Sequence, residues 1–221
     1  MTVTLPPYLS FCFIGQHTVF LDTRRDRYFM LPAIEATRFH AMVGGATMAM
    51  DDIRHFEHIG LLSQDDIQGP PLRPVAIDVP TESLLDHIDL RAHAVGLALI
   101  EVSARLLAAR QALRRGRLDA QLSKLRSLKE TISGSETTST PEGRRQVGRF
   151  LAARRIAPTA PNCLLDSLAL AFFLARRAIA STVVIGVKLD PFAAHCWLQD
   201  EAMILNDTSE NASAFTPILV I

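Results

Sequence analysis

The sequence predicts an α+β chain, and three observations carry that reading. Short β-branched and aromatic runs crowd the first thirty residues, and a stretch of helical periodicity fills roughly residues 81–132. Beyond residue 144 an apolar helix pattern leads into further strands, and a cysteine, a histidine and an aspartate appear there in that order. The reading is an N-terminal winged-helix-like module of three strands and three helices, a helical middle, and a C-terminal domain that carries the chemistry.

Composition narrows the function classes. The 221 residues suit one or two domains with a sizeable core. Lysine plus arginine and aspartate plus glutamate both number 23, so no net field recruits nucleic acid or an anionic membrane. The longest apolar run near the middle, Ala94–Ile100, is far short of the ~20 residues that span a bilayer. Three cysteines form no disulfide framework and no metal-type Cys-x-x-Cys, and no secretory signal pattern opens the chain. A soluble, cytoplasmic protein is expected, in a compartment where a thiol stays reduced.

In chain order, Tyr8–Ile14, Thr18–Asp22 and Arg27–Leu31 read as strands. Pro32 opens a helix to about Val43, which Gly44-Gly45 ends. A second helix begins near Met48. A third covers Asp51–Ile59, with acids at its start and Ile53, Phe56 and Ile59 at helical spacing. That third helix has Arg54 as its only firm cation among Asp51, Asp52 and Glu57, which argues against docking on DNA. His55 and His58 lie one turn apart, but two ligands are too few for a metal site. The module spans residues 1–63.

Residues 64–80 hold Pro70, Pro71, Pro74 and Pro80 and read as an extended linker. The middle, 81–132, begins with a helical stretch marked by Leu84, Leu85 and Ile88. Ala94–Leu107 is apolar enough for a buried helix, and Leu118, Leu122, Leu125 and Leu128 form an amphipathic stripe. Arg105, Arg110, Arg114, Arg115 and Arg117 gather near Gly116, either as a solvated helix end or as a dock for an acidic partner. Ser133–Gly143 is polar and loop-like. Arg144–Ala153 then forms a short helix at the head of the catalytic core, 144–221. No GxGxxG or GxxxxGK[ST] occurs, so neither nucleotide nor other cofactor is expected.

The core carries the chemistry. Pro161-Asn162 suits helix entry and Leu164–Ala175 is strongly helical, which sets Cys163 at a helix N-terminus. Free N–H groups and the positive end of the dipole favour thiolate there. Thr182–Lys188, Ala193–Gln199 and Met203–Asp207 read as strands. A three-residue turn at Asp200-Glu201-Ala202 would set Gln199 opposite Met203 and His195 opposite Asp207, within reach of each other. Alternation puts His195 and Trp197 on one face and Cys196 on the other, so Cys163 is the candidate nucleophile, His195 the base and Asp207 the orienting acid. Asp190 and Asp200 are competing acids in turns.

These residues resemble a known family. Cys163-Leu-x-x-Ser-Leu-Ala-Leu, the Gly186-Val strand, Ala194-His-x-Trp-Leu and Asn206-Asp207 look like the transglutaminase-like cysteine peptidase domain of lasso-peptide B proteins. The separations, 32 residues from Cys163 to His195 and 12 more to Asp207, suit that family; Cys196 departs from its usual Ala. The resemblance implies a papain/transglutaminase-like fold and a cysteine endopeptidase that removes the leader of a lasso precursor. A separate asparagine-synthetase-like, ATP-dependent cyclase would then close the ring. The N-terminal strands and helices are similar to a PqqD-like precursor-recognition domain, which takes a leader as an added β-strand. By that resemblance the groove would be edged by Tyr28, Phe29, Met30, Ile53, Phe56 and Glu57. The rivals are a transglutaminase-like acyltransferase on the same triad and a non-catalytic escort that binds the precursor.

Overall fold

The computed structural model describes residues 3–45, 49–63, 72–93, 95–131 and 136–221. Its contacts define two units, residues 1–76 with Thr216–Leu219, and residues 77–215 with Val220–Ile221.

In the first unit β1 (Leu9–Ile14), β2 (His17–Asp22) and β3 (Arg27–Met30) form an antiparallel meander. Gly15, at φ +58°, opens the two-residue loop between β1 and β2, a conformation glycine adopts without steric cost. The second turn is held by Asp22, whose buried carboxylate accepts the N–H groups of Arg24 and Arg25. Two helices follow, α1 (Ala33–Val43) and α2 (Met50–His58). The register sets Phe11 opposite Phe20 and Phe20 opposite Phe29. Phe39 of α1 then meets Phe11 edge-on at 5.0 Å and Phe56 of α2 at 5.6 Å. The expected second and third helices are one among the described residues: α2 starts at Met50, and Met48 lies outside them.

The second unit begins before the expected linker ends. Residues 64–71 of that linker lie outside the described residues, but Ile77 and Val79 already pack on the cluster of Val184, Trp197, Ile204, Ala212 and Phe215. Then come β4 (Glu82–Ser83), α3 (Gly96–Arg114), α4 (Leu118–Glu130), β5 (Glu136–Thr137), α5 (Pro141–Ile156), α6 (Cys163–Ala175), β6 (Ile179–Ala180), β7 (Thr182–Lys188), β8 (Ala193–Gln199), β9 (Met203–Ile204) and α7 (Ser209–Ser213); the last strand, β10 (Thr216–Val220), has its first four residues in the first unit. Strands β7, β8, β9 and β4 are neighbours in that order, and the Ile221 backbone pairs with Val183.

Helix α6 is the hub of this unit. Leu165, Leu168, Leu170, Phe173 and Leu174 are all buried, and the helix packs on α3, α4, α5 and β8. A helix apolar on every side belongs inside, and burial on all sides fixes the position of its first residue, Cys163.

Three expectations give way here. The stretch around Leu84, Leu85 and Ile88 forms two short 3₁₀ turns, Leu84–Asp86 and Leu90–Ala92, instead of a helix. Ser83 and Asp89 accept the N–H groups of Leu85 and Arg91 and start each turn locally. Helix α3 is not buried all round: Ala98, Val102, Leu106 and Ala109 face inward, while Leu97 and Ile100 are 82% and 68% exposed. In the loop read at 133–143, residues 133–135 lie outside the described residues. Of the rest, Glu136-Thr137 pairs with Ile179-Ala180, and Pro141–Gly143 are the first turn of α5. Among the described residues no helix is long and apolar enough to cross a membrane.

Candidate active site

The strap that delivers Cys163 is pinned from behind. Arg154 of α5 donates from Nε to Asp166 at 2.7 Å and from Nη1 to the Thr159 carbonyl at 3.1 Å. Asp166 in turn accepts the Asn162 N–H, and the Asn162 side chain accepts the Leu165 N–H at 2.9 Å. That last bond is an N-cap, which fixes where α6 begins and leaves Cys163 as its first residue. The thiol is neither exposed nor sealed in.

His195 is placed by strand pairing and by two aromatic rings. It lies opposite Gly186 of β7. A Cβ on Gly186 would stand 2.8 Å from the Phe215 Cβ and 2.9 Å from the Trp197 ring, so only glycine leaves room for both. Trp197 lies roughly parallel to the imidazole with centroids 6.0 Å apart, and Phe215 is tilted onto it at 5.1 Å. The Trp197 N–H is satisfied by Gln199, whose amide donates to the Asp78 carbonyl. The imidazole is thereby held on its apolar sides and left open at its nitrogens.

Asp207 meets Nε2 of His195 through Oδ2. The contact is as expected, but its register is not. Gln199 pairs with Ile204 instead of Met203, and the ladder ends after that residue, although the Leu205 N–H still reaches the Leu198 carbonyl. The turn holds one residue more because Asp200 accepts the N–H groups of Ala202 and Met203. Asp200 is thus committed to the turn, and its second oxygen accepts the Thr138 hydroxyl. Asp207 reaches the imidazole from beyond the ladder, supported on all sides. Thr208 N–H donates to Oδ1 at 2.8 Å, Asn211 Nδ2 donates to Oδ2 at 2.8 Å, and the buried Ser83 hydroxyl donates to its carbonyl at 2.6 Å.

Asn206 turns the other way. It accepts the Leu198 N–H and donates to Ser167, whose hydroxyl donates to the Cys196 carbonyl. This chain ties α6 to β8 behind the site and sets the spacing between nucleophile and base.

The electrostatics follow from these contacts. The hydrogen bond with His195 lowers the Cys163 thiol below its ordinary value; burial opposes this, and the N–H groups of Cys196 and Leu164 reinforce it. For His195 burial is the largest influence and favours the neutral ring, yet Asp207 and Cys163 together outweigh it and raise the imidazole to about 9. Burial also pushes the Asp207 carboxyl up, but His195, the Thr208 amide and Asn211 hold it low. The contacts therefore favour the thiolate of Cys163 and the imidazolium of His195, beside an Asp207 held as the carboxylate. Because Asp207 and Asn211 both address Nε2, Nδ1 is the nitrogen left for the sulfur. The other two cysteines are the opposite case: burial pushes Cys12 up to about 12 and raises Cys196 further.

A thiolate, a proton carrier and a fixed tautomer are what nucleophilic acyl transfer requires. Residues 98–220, more than half of the chain, match the family described as the transglutaminase-like superfamily. The chain belongs to the transglutaminase-like superfamily. Its transglutaminase-like domain is the C-terminal one, and it fits the chemistry of a cysteine peptidase or of an acyltransferase. The curated proteins contain no significant match to the chain, and neither do the solved structures.

The six residues expected to edge a peptide groove fall elsewhere, in the first unit. Phe56 is fully buried and Ile53 6% exposed, so both are core. Phe29 is half-buried and stacks on Phe20 at 5.1 Å, while Tyr28 is half-buried and Met30 exposed. Glu57 is half-buried with one carboxylate oxygen sealed and unbonded. His55 pairs with Glu35 at 3.1 Å instead of sharing a ligand with His58, and no group of three metal-type side chains occurs among the described residues.

Sequence reasoning missed Asn211 and Ser83, and it named Gly186 only as part of a motif, without its packing role. Asn211 follows Thr208 at the spacing of a helix cap, a signal that was there to read. Ser83 lies 124 residues from its partner and left none.

Proposed function

We propose that the chain is a cysteine endopeptidase of peptide maturation, which binds the leader of a lasso precursor and cuts it from the core. The observation that carries the reading is the placement of Cys163 at the start of α6 within hydrogen-bond reach of His195, which is itself held by Asp207. In mechanism the Cys163 sulfur attacks the scissile carbonyl, and the oxyanion develops beside the backbone N–H of Cys163. His195 passes its proton to the leaving amine as the C–N bond breaks, giving a thioester. Water, deprotonated by His195, then releases the acyl group and restores the thiolate. Asp207 keeps the ring oriented throughout and carries its charge.

The motif around Cys163, the Ala-His-x-Trp strand and the N-terminal meander support the lasso assignment. Among the described residues strand β3 pairs only with β2, so its outer edge suits an added peptide strand, with Met30 exposed beside it. In this reading Tyr28, Phe29 and Glu57 border the leader, Ile53 and Phe56 support the border from the core, and an asparagine-synthetase-like cyclase receives the freed core peptide.

Membership of the superfamily equally favours one alternative, in which an amine instead of water takes the acyl group. Mass spectrometry of the precursor incubated with the protein, with and without the cyclase, separates the two. One cut at the leader–core junction, absent in Cys163→Ala, is the expected result. An amide-linked product points to the transferase, and an intact but tightly bound precursor points to an escort.

A further inference from the structure

The cluster of arginines read near Gly116 does not act as a block. Arg105 is held by Glu101 at 2.7 Å on its own helix. Arg110 and Arg114, one turn apart on α3, are exposed and line a hollow of about 270 Å³ with Leu113, Leu165 and the strap Thr159–Asn162. That strap runs directly into Cys163, so the hollow's wall is the segment that leads to the nucleophile. None of its lining residues is acidic, and neither arginine has an ion-pair partner among the described residues. Behind it stands the Arg154 guanidinium, paired with Asp166 but with Nη2 buried and unbonded. Thr159 on the hollow's wall is 9% exposed, and its hydroxyl is also buried without a partner.

Two unpaired cations, a third cation behind them and an idle hydroxyl form a place for a carboxylate. We infer that this hollow is a substrate subsite that takes an Asp or Glu side chain of the peptide, with Arg110 and Arg114 as its specificity residues. An extended peptide advances about 3.3 Å per residue, so a strand lying along the strap sets that acid within about four residues of the scissile bond. The subsite rests on the peptide-cleaving reading for its role, but its preference for a carboxylate is a matter of binding.

The test therefore uses the full chain carrying Cys163→Ala, in which no turnover intervenes. The probes are fluorescein-labelled decapeptides of Gly and Ala with one Asp, or one Asn, moved along the positions. Binding is read by anisotropy at low salt. At one or two adjacent positions Asp should bind about 10- to 100-fold more tightly than Asn, the size of a charge-assisted hydrogen bond. Adding R110A and R114A should erase that preference with Tm unchanged, since both side chains are exposed. R110E with R114E should turn it toward Lys-bearing peptides. Equal binding of the Asp and Asn series by the parent overturns the inference, and so does a preference that survives in R110A/R114A. A carboxylate preference without cleavage by the intact protein would sink the peptidase and leave the subsite standing. Cleavage without the preference would do the reverse.

Discussion

The two units bury different things. Around Phe39 the first unit packs ring on ring, Phe11, Phe20 and Phe56 all within 5.0–5.6 Å, and what holds it is apolar area. Around His195 the second unit adds hydrogen-bonded polar side chains to its apolar packing: Ser83 on Asp207, Ser167 on Cys196, Asn206 on Leu198, Gln199 on Asp78. A phenylalanine core tolerates exchange of one ring for another of similar volume. A hydrogen-bonded lattice fixes distances and charge states, and those are what a thiolate–imidazolium pair needs. Dense polar accounting thus marks the region that does chemistry.

That contrast can be broken in four places, taken from the largest effect down. Cys163→Ala should lower peptide turnover by about 10⁴-fold or more, because the attacking atom is gone, with the fold retained by circular dichroism. In the other unit Phe56→Ala should cost about 3–5 kcal/mol of unfolding free energy in urea, since it opens a cavity at a fully buried ring. A loss there below about 1 kcal/mol would mean that the ring cluster is not the first unit's main support. Asp207→Asn keeps the shape but removes the charge that holds the imidazole high. About a 10²-fold fall in kcat/KM is expected, with the pH profile displaced, where a purely structural role would leave the profile in place. Gly186→Ala should destabilise by about 1–3 kcal/mol through contact with Phe215 and Trp197, and should also loosen His195.

How much of this could be read in advance divides along the same line. Helix α6 and strands β7 and β8 were legible to the residue, because a Val-Val-Ile run and an all-apolar helix leave little choice. Cys163, His195 and Asp207 stood out through order and spacing, and the structure brings them together. The route was less legible than the result: the Asp200 turn holds one residue more than expected, and Asp207 still arrives, carried by Ser83 and Asn211 instead of by strand pairing. The first unit misled in the opposite way. Ile53 and Phe56 were set at the rim of a groove by resemblance to a recognition domain, and both are buried, since an apolar helix face does not tell whether core or ligand covers it. Helix α3 misled likewise, since an apolar run conceals which of its sides is buried.

The smallest of the expected effects concerns protons. The imidazolium is held up to about pH 9, so kcat/KM should stay level through neutrality and fall to half near that value, as the acid that serves the leaving amine is lost.

The central claim is that His195 holds the Cys163 thiol below the ordinary range and readies it as the nucleophile, and the rate of its alkylation by iodoacetamide as a function of pH tests this directly. Mass mapping should find Cys163 modified and Cys12 and Cys196 intact, with a rate that reaches its plateau at lower pH than a free thiol because the Cys163 thiol lies below the ordinary range. His195→Ala should move that plateau upward. A rate that climbs about tenfold per unit through pH 8, as for a free thiol, would contradict the account, and so would modification spread over all three cysteines.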